Sequence, residues 1–267
     1  MKVIILTGSE KRHVFFRKSI AIDNRIEVIN SYCEKNNNNL QNRVINNNKS
    51  SLLEIQHVLA RGQSEIDFFE NTNLSIEDKS NPIYLGKGEI NDEKNVLDII
   101  NKSPDLLICY GSSLIKSRLL DLYKNRFVNV HLGLSPYYRG TGTNVWPLIN
   151  NEPNMVGATF MHIDSGIDTG EIIHQIRADI FLGDSPHTIG NRLIKKMTKN
   201  YINLIVKFKD IKKVRQPNIR GKLYQNKDFD CGACRKLYNN FNNGMIEKYL
   251  EKNNNLRPIF SNPILDL

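Results

Sequence analysis

Short apolar runs alternate with amphipathic stretches along most of the chain. Residues 2–7 (KVIILT) are a continuous apolar run, read as a buried strand, and Gly8-Ser9 turns it into a helix over 11–20 that Ser9 can cap. Residues 25–32 alternate like a second strand, whereas 35–50 are Asn-rich and nearly without apolar positions, which predicts a surface loop. Leu52, Ile55, Leu59, Ile66 and Phe69 recur at helical spacing, broken at Gly62, and Tyr84-Leu85 reads as a short strand. Asn91-Asp92 caps a helix over 93–102, with Val96, Leu97, Ile99 and Ile100 on its buried side. Residues 106–110 form a central strand, 116–123 a helix, and 127–130 the next strand. Two more strands, 156–163 and 171–180, flank a turn at 164–170, and a helix follows over 186–208. Beyond it, 221–224 is strand-like and 231–250 helical.

Strand and helix in this rhythm predict an α/β fold, a doubly wound, mostly parallel sheet with flanking helices. The expected division is a catalytic domain over 1–208 and a small C-terminal extension with one helix over 209–267. With 267 residues, 40% of them hydrophobic, the chain can bury the core such a sheet needs. No apolar run approaches the roughly 20 residues that cross a bilayer, and MKVIILTG is too short for a signal peptide, so a cytoplasmic protein without membrane contact is expected.

The four cysteines, unevenly spaced, are no disulfide framework, and Cys231-x-x-Cys234 lacks a second ligand pair, so no metal site is expected. Cys234 instead joins Leu237, Phe241, Met245, Ile246 and Tyr249 on one helical face, which packs inward or docks on a second subunit as a homodimer. The net charge of +9 is scattered, with no aromatic-interleaved basic motif; this disfavours nucleic acid and suits a phosphate-bearing small substrate.

Candidate chemistry concentrates in 126–169. Asn129 and His131 lie two apart on a strand and face the same side, at a strand end where open α/β sheets bind ligands. The turn Asp164-Ser165-Gly166-Ile167-Asp168-Thr169-Gly170 adds a carboxylate, Asp168. An amide donor, an imidazole and a carboxylate suit attack of a substrate's own nucleophile on a carbonyl carbon, with oxyanion stabilisation and proton removal. No Ser or Cys in a nucleophile-elbow setting accompanies them, so covalent catalysis is not favoured.

The segments NVHLGLSPYYRG and GATFMHIDSGIDTGEII resemble the 10-formyl-tetrahydrofolate-dependent formyltransferase family, which carries an Asn-x-His at a strand end, a Pro-containing loop and an Asp in a following turn. The resemblance covers 106–184 well and 1–20 loosely. It implies a Rossmann-like sheet, 10-formyl-tetrahydrofolate as co-substrate, and Asn129, His131 and Asp168 as catalytic residues. It also implies Gly111, Ser112, Ser113, Leu114 and Ile115 beside the pterin, with Asp164, Ser165, Gly166 and Ile167 across from it. Ser112 and Ser113 are equally suited to cap a helix.

Within that family the chain most resembles the enzymes that formylate nucleotide-linked amino sugars for surface glycans, in its size and in Pro136-Tyr137-Tyr138-Arg139-Gly140 followed by Trp146. Gly8, Ser135, Tyr137, Tyr138, Arg139 and Trp146 are therefore the candidate acceptor-binding residues; Tyr137 or Tyr138 would stack on a ring, while Arg139 would hold a diphosphate or merely brace its loop. Methionyl-tRNA, a small ribonucleotide amine, and folate binding without catalysis are the alternatives. Glu10, next to the Thr7-Gly8-Ser9 turn, speaks against a phosphate there.

Overall fold

Val3, Ile4, Ile5 and Leu6 are all fully buried, as a strand covered on both faces requires. The structure, a computed structural model, describes residues 1–37, 39–219, 221–251 and 256–265. Along the chain it forms β1 (Lys2–Gly8), α1 (Lys11–Ala21), β2 (Glu27–Lys35), α2 (Leu40–Ile45), α3 (Leu52–Ser75), β3 (Pro82–Gly86), α4 (Glu93–Asn101), β4 (Leu106–Tyr110), α5 (Ser117–Leu122) and β5 (Phe127–His131). There follow β6 (Tyr138–Gly140), α6 (Trp146–Ile149), β7 (Gly157–His162), β8 (Ile172–Arg177), α7 (Pro186–Val206), β9 (Lys222–Tyr224), α8 (Cys231–Asn242) and α9 (Met245–Glu251). Seven strands form one sheet in the order β3-β2-β1-β4-β5-β7-β8. The first five run parallel, and β7 and β8 add an antiparallel edge. The sheet thus has the doubly wound form expected.

Alternation along β1 sets the two layers. Val3 and Ile5 face one apolar core with Phe16 and Ile20 of α1 and Leu193, Met197 and Tyr201 of α7. Ile4 and Leu6 face the other, with Val96 and Ile99 of α4 and Leu119 of α5. The segment after α7 returns to the first core: Tyr224, Leu237, Met245, Ile246 and Leu265 are buried in it. The apolar stripe of the C-terminal helices is therefore covered by the chain itself.

Several elements differ from the expected ones for local reasons. The Asn-rich segment contains α2, capped by the Asn39 side chain on Asn42 N. Helix α3 runs unbroken through Gly62, where an added Cβ would meet the Gln41 side chain of α2 at 3.3 Å. The C-terminal helix instead breaks at Gly244, whose φ of +73° ends α8 and starts α9. The α1 cap is Glu10 rather than Ser9, with the His13 side chain accepting from Glu10 N at 3.2 Å. No expectation covered β6, which pairs in parallel with β9.

Between Ile108↔Val128 and Cys109↔Asn129, the last registered pairs of β4 and β5, a phenol joins the two strands. The buried Tyr201 hydroxyl donates to Val128 O (2.7 Å) and accepts from Cys109 N (3.3 Å). It holds β5 where that strand carries Asn129 and His131. Tyr201→Phe strands both backbone groups in the core and should lower the unfolding free energy by about 1–3 kcal/mol in urea titrations. A loss below about 0.5 kcal/mol would mean that the strands hold this register unaided.

Candidate active site

A cavity of about 1300 Å³ opens at the carboxyl ends of β1, β4 and β5. Asn129, His131 and Asp168 all line it. His131 is 7% exposed, and each of its ring nitrogens faces oxygen. Nε2 lies 2.9 Å from Tyr138 O, an obligate acceptor, and 3.2 Å from the Thr143 hydroxyl, which donates its own proton to Leu132 O. Nδ1 lies 3.3 Å from Asp168 Oδ2, and that same oxygen accepts from Gly140 N at 2.8 Å. Tyr138 O and Asp168 thus fix the imidazole from both sides, beside Asn129.

Asp168 owes its position to its turn. Its φ is +54°, a left-handed conformation that Asp adopts more readily than most residues. Asp164 Oδ1 accepts from Gly166 N (3.0 Å) and Thr169 Oγ1 (2.7 Å), closing the turn. From outside, the Gln216 amide donates to the carbonyls of Asp168 and Gly170, both at 2.9 Å.

The residues implied for the pterin form two walls of this cavity. Gly111, Ser112, Ser113, Leu114 and Ile115 supply one; Asp164, Ser165, Gly166 and Ile167 supply the other. Leu114 and Ile167 carry exposed apolar side chains there. Ser112 and Ser113 do not cap α5, whose N-cap is Lys116. The Gly111 wall is clamped by Glu34, a buried carboxylate at the end of β2 that accepts from Ser113 N (2.5 Å) and Gly88 N (2.8 Å). Asn91 adds two bonds to Leu114 O and Lys116 N. Glu34 carries no sequence signal, and Asn91 reads in the sequence as part of a helix cap that Asp92 alone supplies; both act here on backbone.

The acceptor candidates are scattered. Trp146 lines the cavity, but Gly8, Ser135, Tyr137, Tyr138 and Arg139 are not among its lining residues. Gly8 packs under His13, whose ring an added Cβ would strike at 2.5 Å. The Ser135 backbone is bonded to Thr159 and Gln175, and Tyr137 lies beneath the Arg257 guanidinium. Tyr138 is buried with its hydroxyl on Glu152, and Arg139 Nε is buried without a partner. What Tyr138 brings to the site is its carbonyl.

The far wall holds residues that no motif announced. Arg12 is paired with Glu10 and, at 2.6 Å, with Glu65; burial opposes its charge, but the two carboxylates outweigh that and raise its pKa. His57 and His187 lie with ring centroids 4.8 Å apart, and the Tyr238 hydroxyl is 3.1 Å from His57 Nδ1. Burial, then His187 and Arg61, lower His57 to about 3; burial, then Arg61, lower His187 to about 4. Both rings are neutral at physiological pH. In the unfolded chain each takes a proton near pH 6.5, so as pH falls from about 6.5 towards 4 the unfolded state binds the extra protons and stability is lost. The slope should approach roughly 1.4 kcal/mol per pH unit per histidine. His187→Gln should flatten the dependence of Tm on pH across that window, and an unchanged slope would remove this pair as the cause.

Comparison with known proteins agrees with this architecture. A family model described as "Formyl transferase" matches residues 19–205. A methionyl-tRNA formyltransferase of Finegoldia magna is 34% identical over 149 residues, covering 51% of this chain and 46% of the relative. A GDP-perosamine N-formyltransferase of Brucella melitensis is 34% identical over 108 residues, 40% of this chain and 41% of the relative. The chain therefore spans less than half the length of these curated relatives. A sugar N-formyltransferase structure from a Shewanella species shares the fold, with a TM-score of 0.57 at 18% identity over 86% of this chain and 78% of that one.

Proposed function

The chain belongs to the formyl transferase family, and from that premise we propose that it is an N-formyltransferase moving a formyl group from 10-formyl-tetrahydrofolate to the amino group of a nucleotide-linked amino sugar. The observation that carries the reading is the doubly engaged His131 ring beside Asn129 at the cavity wall. The folate supplies a formyl carbon activated by its bond to nitrogen. The loops at Gly111 and Asp164 fit a pterin, offering exposed Leu114 and Ile167 and a run of backbone groups held by Glu34 and Asn91.

Attack by a neutral amine builds negative charge on the formyl oxygen. The Asn129 amide can donate to that oxygen, and the nearby His131 ring is oriented in advance, because Tyr138 O and Asp168 hold it. Asp168 has two roles here: it holds the ring, and it offers a carboxylate beside it for the proton the amine sheds. That proton must finally reach the folate nitrogen as the carbon–nitrogen bond breaks. Among the cavity-lining residues, Cys109 has its thiol pushed up to about 11 by burial, which makes it a poor competing nucleophile.

A cavity of about 1300 Å³ exceeds the roughly 300–1,000 Å³ of a single small-ligand site, which supports a folate and a second small molecule together. The second reading, methionyl-tRNA as acceptor, is favoured by the relative from F. magna and by the net charge of +9.

Formyl transfer should be followed by mass spectrometry with 10-formyl-tetrahydrofolate and a panel of dTDP-, UDP- and GDP-linked amino sugars, with charged initiator tRNA alongside. One sugar should gain a formyl group. Asn129→Ala and Asp168→Ala should each lower turnover about a hundredfold or more while the fold is kept. Near-normal turnover in either variant would overturn the mechanism, and reaction of the tRNA alone would overturn the acceptor.

A further inference from the structure

The folate walls and the trio leave one side of the cavity unused, and its charges are unevenly satisfied. Five cationic side chains line the cavity among the described residues: Arg12, Arg43, Arg61, Lys87 and Lys116. Lys87 and Lys116 belong to the loops beside Gly88 and Gly111, on the folate side. Arg12 is committed to Glu10 and Glu65. Arg61 reaches those same carboxylates only at 3.9 and 3.4 Å, too far for good hydrogen bonds, and a third of its side chain is exposed. Arg43 makes no ion pair among the described residues, and its Nε is buried without a partner. Two guanidiniums, on α2 and α3, thus line the same cavity with donors unspent.

Beside them the wall becomes aromatic and uncharged. Trp146 stacks on Tyr224 (centroids 4.4 Å apart), and Phe229 stands nearly perpendicular to it at 6.4 Å. His57 continues the group, 5.0 Å from Phe229. With His57 and His187 neutral, this corner offers ring faces and edges rather than charge.

We propose that this wall binds the nucleoside diphosphate of the acceptor, with Arg43 and Arg61 on the diphosphate and the corner of Trp146, Phe229 and His57 on the base. The inference rests on the reading that the acceptor is nucleotide-linked. Guanidinium forks match phosphate oxygens bidentately, and planar bases pack on aromatic and imidazole rings. Burial in the wall and the neighbouring Arg12 charge both make the Arg61 cation costly, and an anion alongside would offset that cost. The two arginines sit inside a cavity rather than along an exposed face, which suits a small molecule better than a polymer backbone. Arg12 is no substitute, because Glu10 and Glu65 already neutralise it.

The test is calorimetric titration of the full chain with dTDP, UDP, GDP and inorganic pyrophosphate, on wild type, Arg43→Gln, Arg61→Gln and Phe229→Ala. At least one nucleoside diphosphate should bind wild type. Either arginine variant should weaken both that ligand and pyrophosphate tenfold or more, whereas Phe229→Ala should weaken the nucleoside diphosphate and leave pyrophosphate unchanged. Arg61 borders an ion network whose disturbance can affect folding; Arg43, which has no ion pair among the described residues, is the independent variant, and folate binding and Tm report the fold of both. Unchanged nucleotide affinity in the folded arginine variants would overturn this site while leaving a nucleotide-linked acceptor standing. Failure of wild type to bind any nucleoside diphosphate, with tRNA as the formylated acceptor, would overturn both.

Discussion

An imidazole with an acceptor oxygen at each nitrogen is the constraint on which the site depends. Tyr138 O lies against one ring nitrogen of His131, Asp168 faces the other nitrogen, and Gly140 N donates to that same carboxylate. Strand end, loop and turn are thereby locked into one ring of contacts, and none can shift alone without leaving a buried group unmet. Gly133 shows how tightly the ring is drawn: an added Cβ would lie 2.5 Å from His131 Nε2 and 2.7 Å from Tyr138 O.

The loop that supplies these contacts is itself held by chain beyond residue 205, where the family match ends. Strand β9 pairs with β6, so Tyr138, Arg139 and Gly140 take their path from Lys222, Leu223 and Tyr224. Gly140, with φ of +91°, runs so close that an added Cβ would lie 2.1 Å from Tyr224 O. Gln216 braces the Asp168 turn, and Phe260 N–H and C=O both bond to Gln175 on the edge strand β8. The segment after α7 is therefore part of what orients His131, in addition to closing the cavity with Tyr224 and Phe229. That is a physical reason for the described residues after α7 to be tied into the main core.

What the sequence disclosed follows from the range of the forces involved. The runs that became β1, β4 and β5 were legible because burial on both faces demands unbroken apolar residues, and Asn129 and His131 were legible because a strand places alternate residues on one side. The Asp168 turn showed in its glycines. Helix α3 was misjudged at Gly62 because the reason for that glycine is the packing of Gln41, which no helical periodicity reports. Strand β6, three residues long, exists only by pairing across about eighty positions with β9, whose stretch does read as strand-like. Pro136 to Arg139 looked like a ligand loop from its residue types, yet in the fold these residues lie outside the cavity lining, and Tyr138 meets His131 through its carbonyl rather than its ring.

The charge pattern carries the same lesson into the cavity. A net charge of +9 suggests a broad cationic surface, yet at the end of β1 the fold sets Glu10 and Glu65 against Arg12 and leaves that corner close to neutral. Glu10 alone, read from sequence, argued against any phosphate nearby. In the fold its charge is largely spent on Arg12, and the cations left over stand on α2 and α3. The chemistry proposed for β5 and its turn is thus separated from the charges proposed to choose the acceptor. Changes in α2, α3 or the segment around Phe229 could redirect acceptor choice while the His131 ring, held by backbone contacts from the other side, stays as it is. A family whose named members act on a tRNA and on a GDP-linked sugar is consistent with such a division, because differential binding at one wall can change without moving the groups that stabilise the transition state.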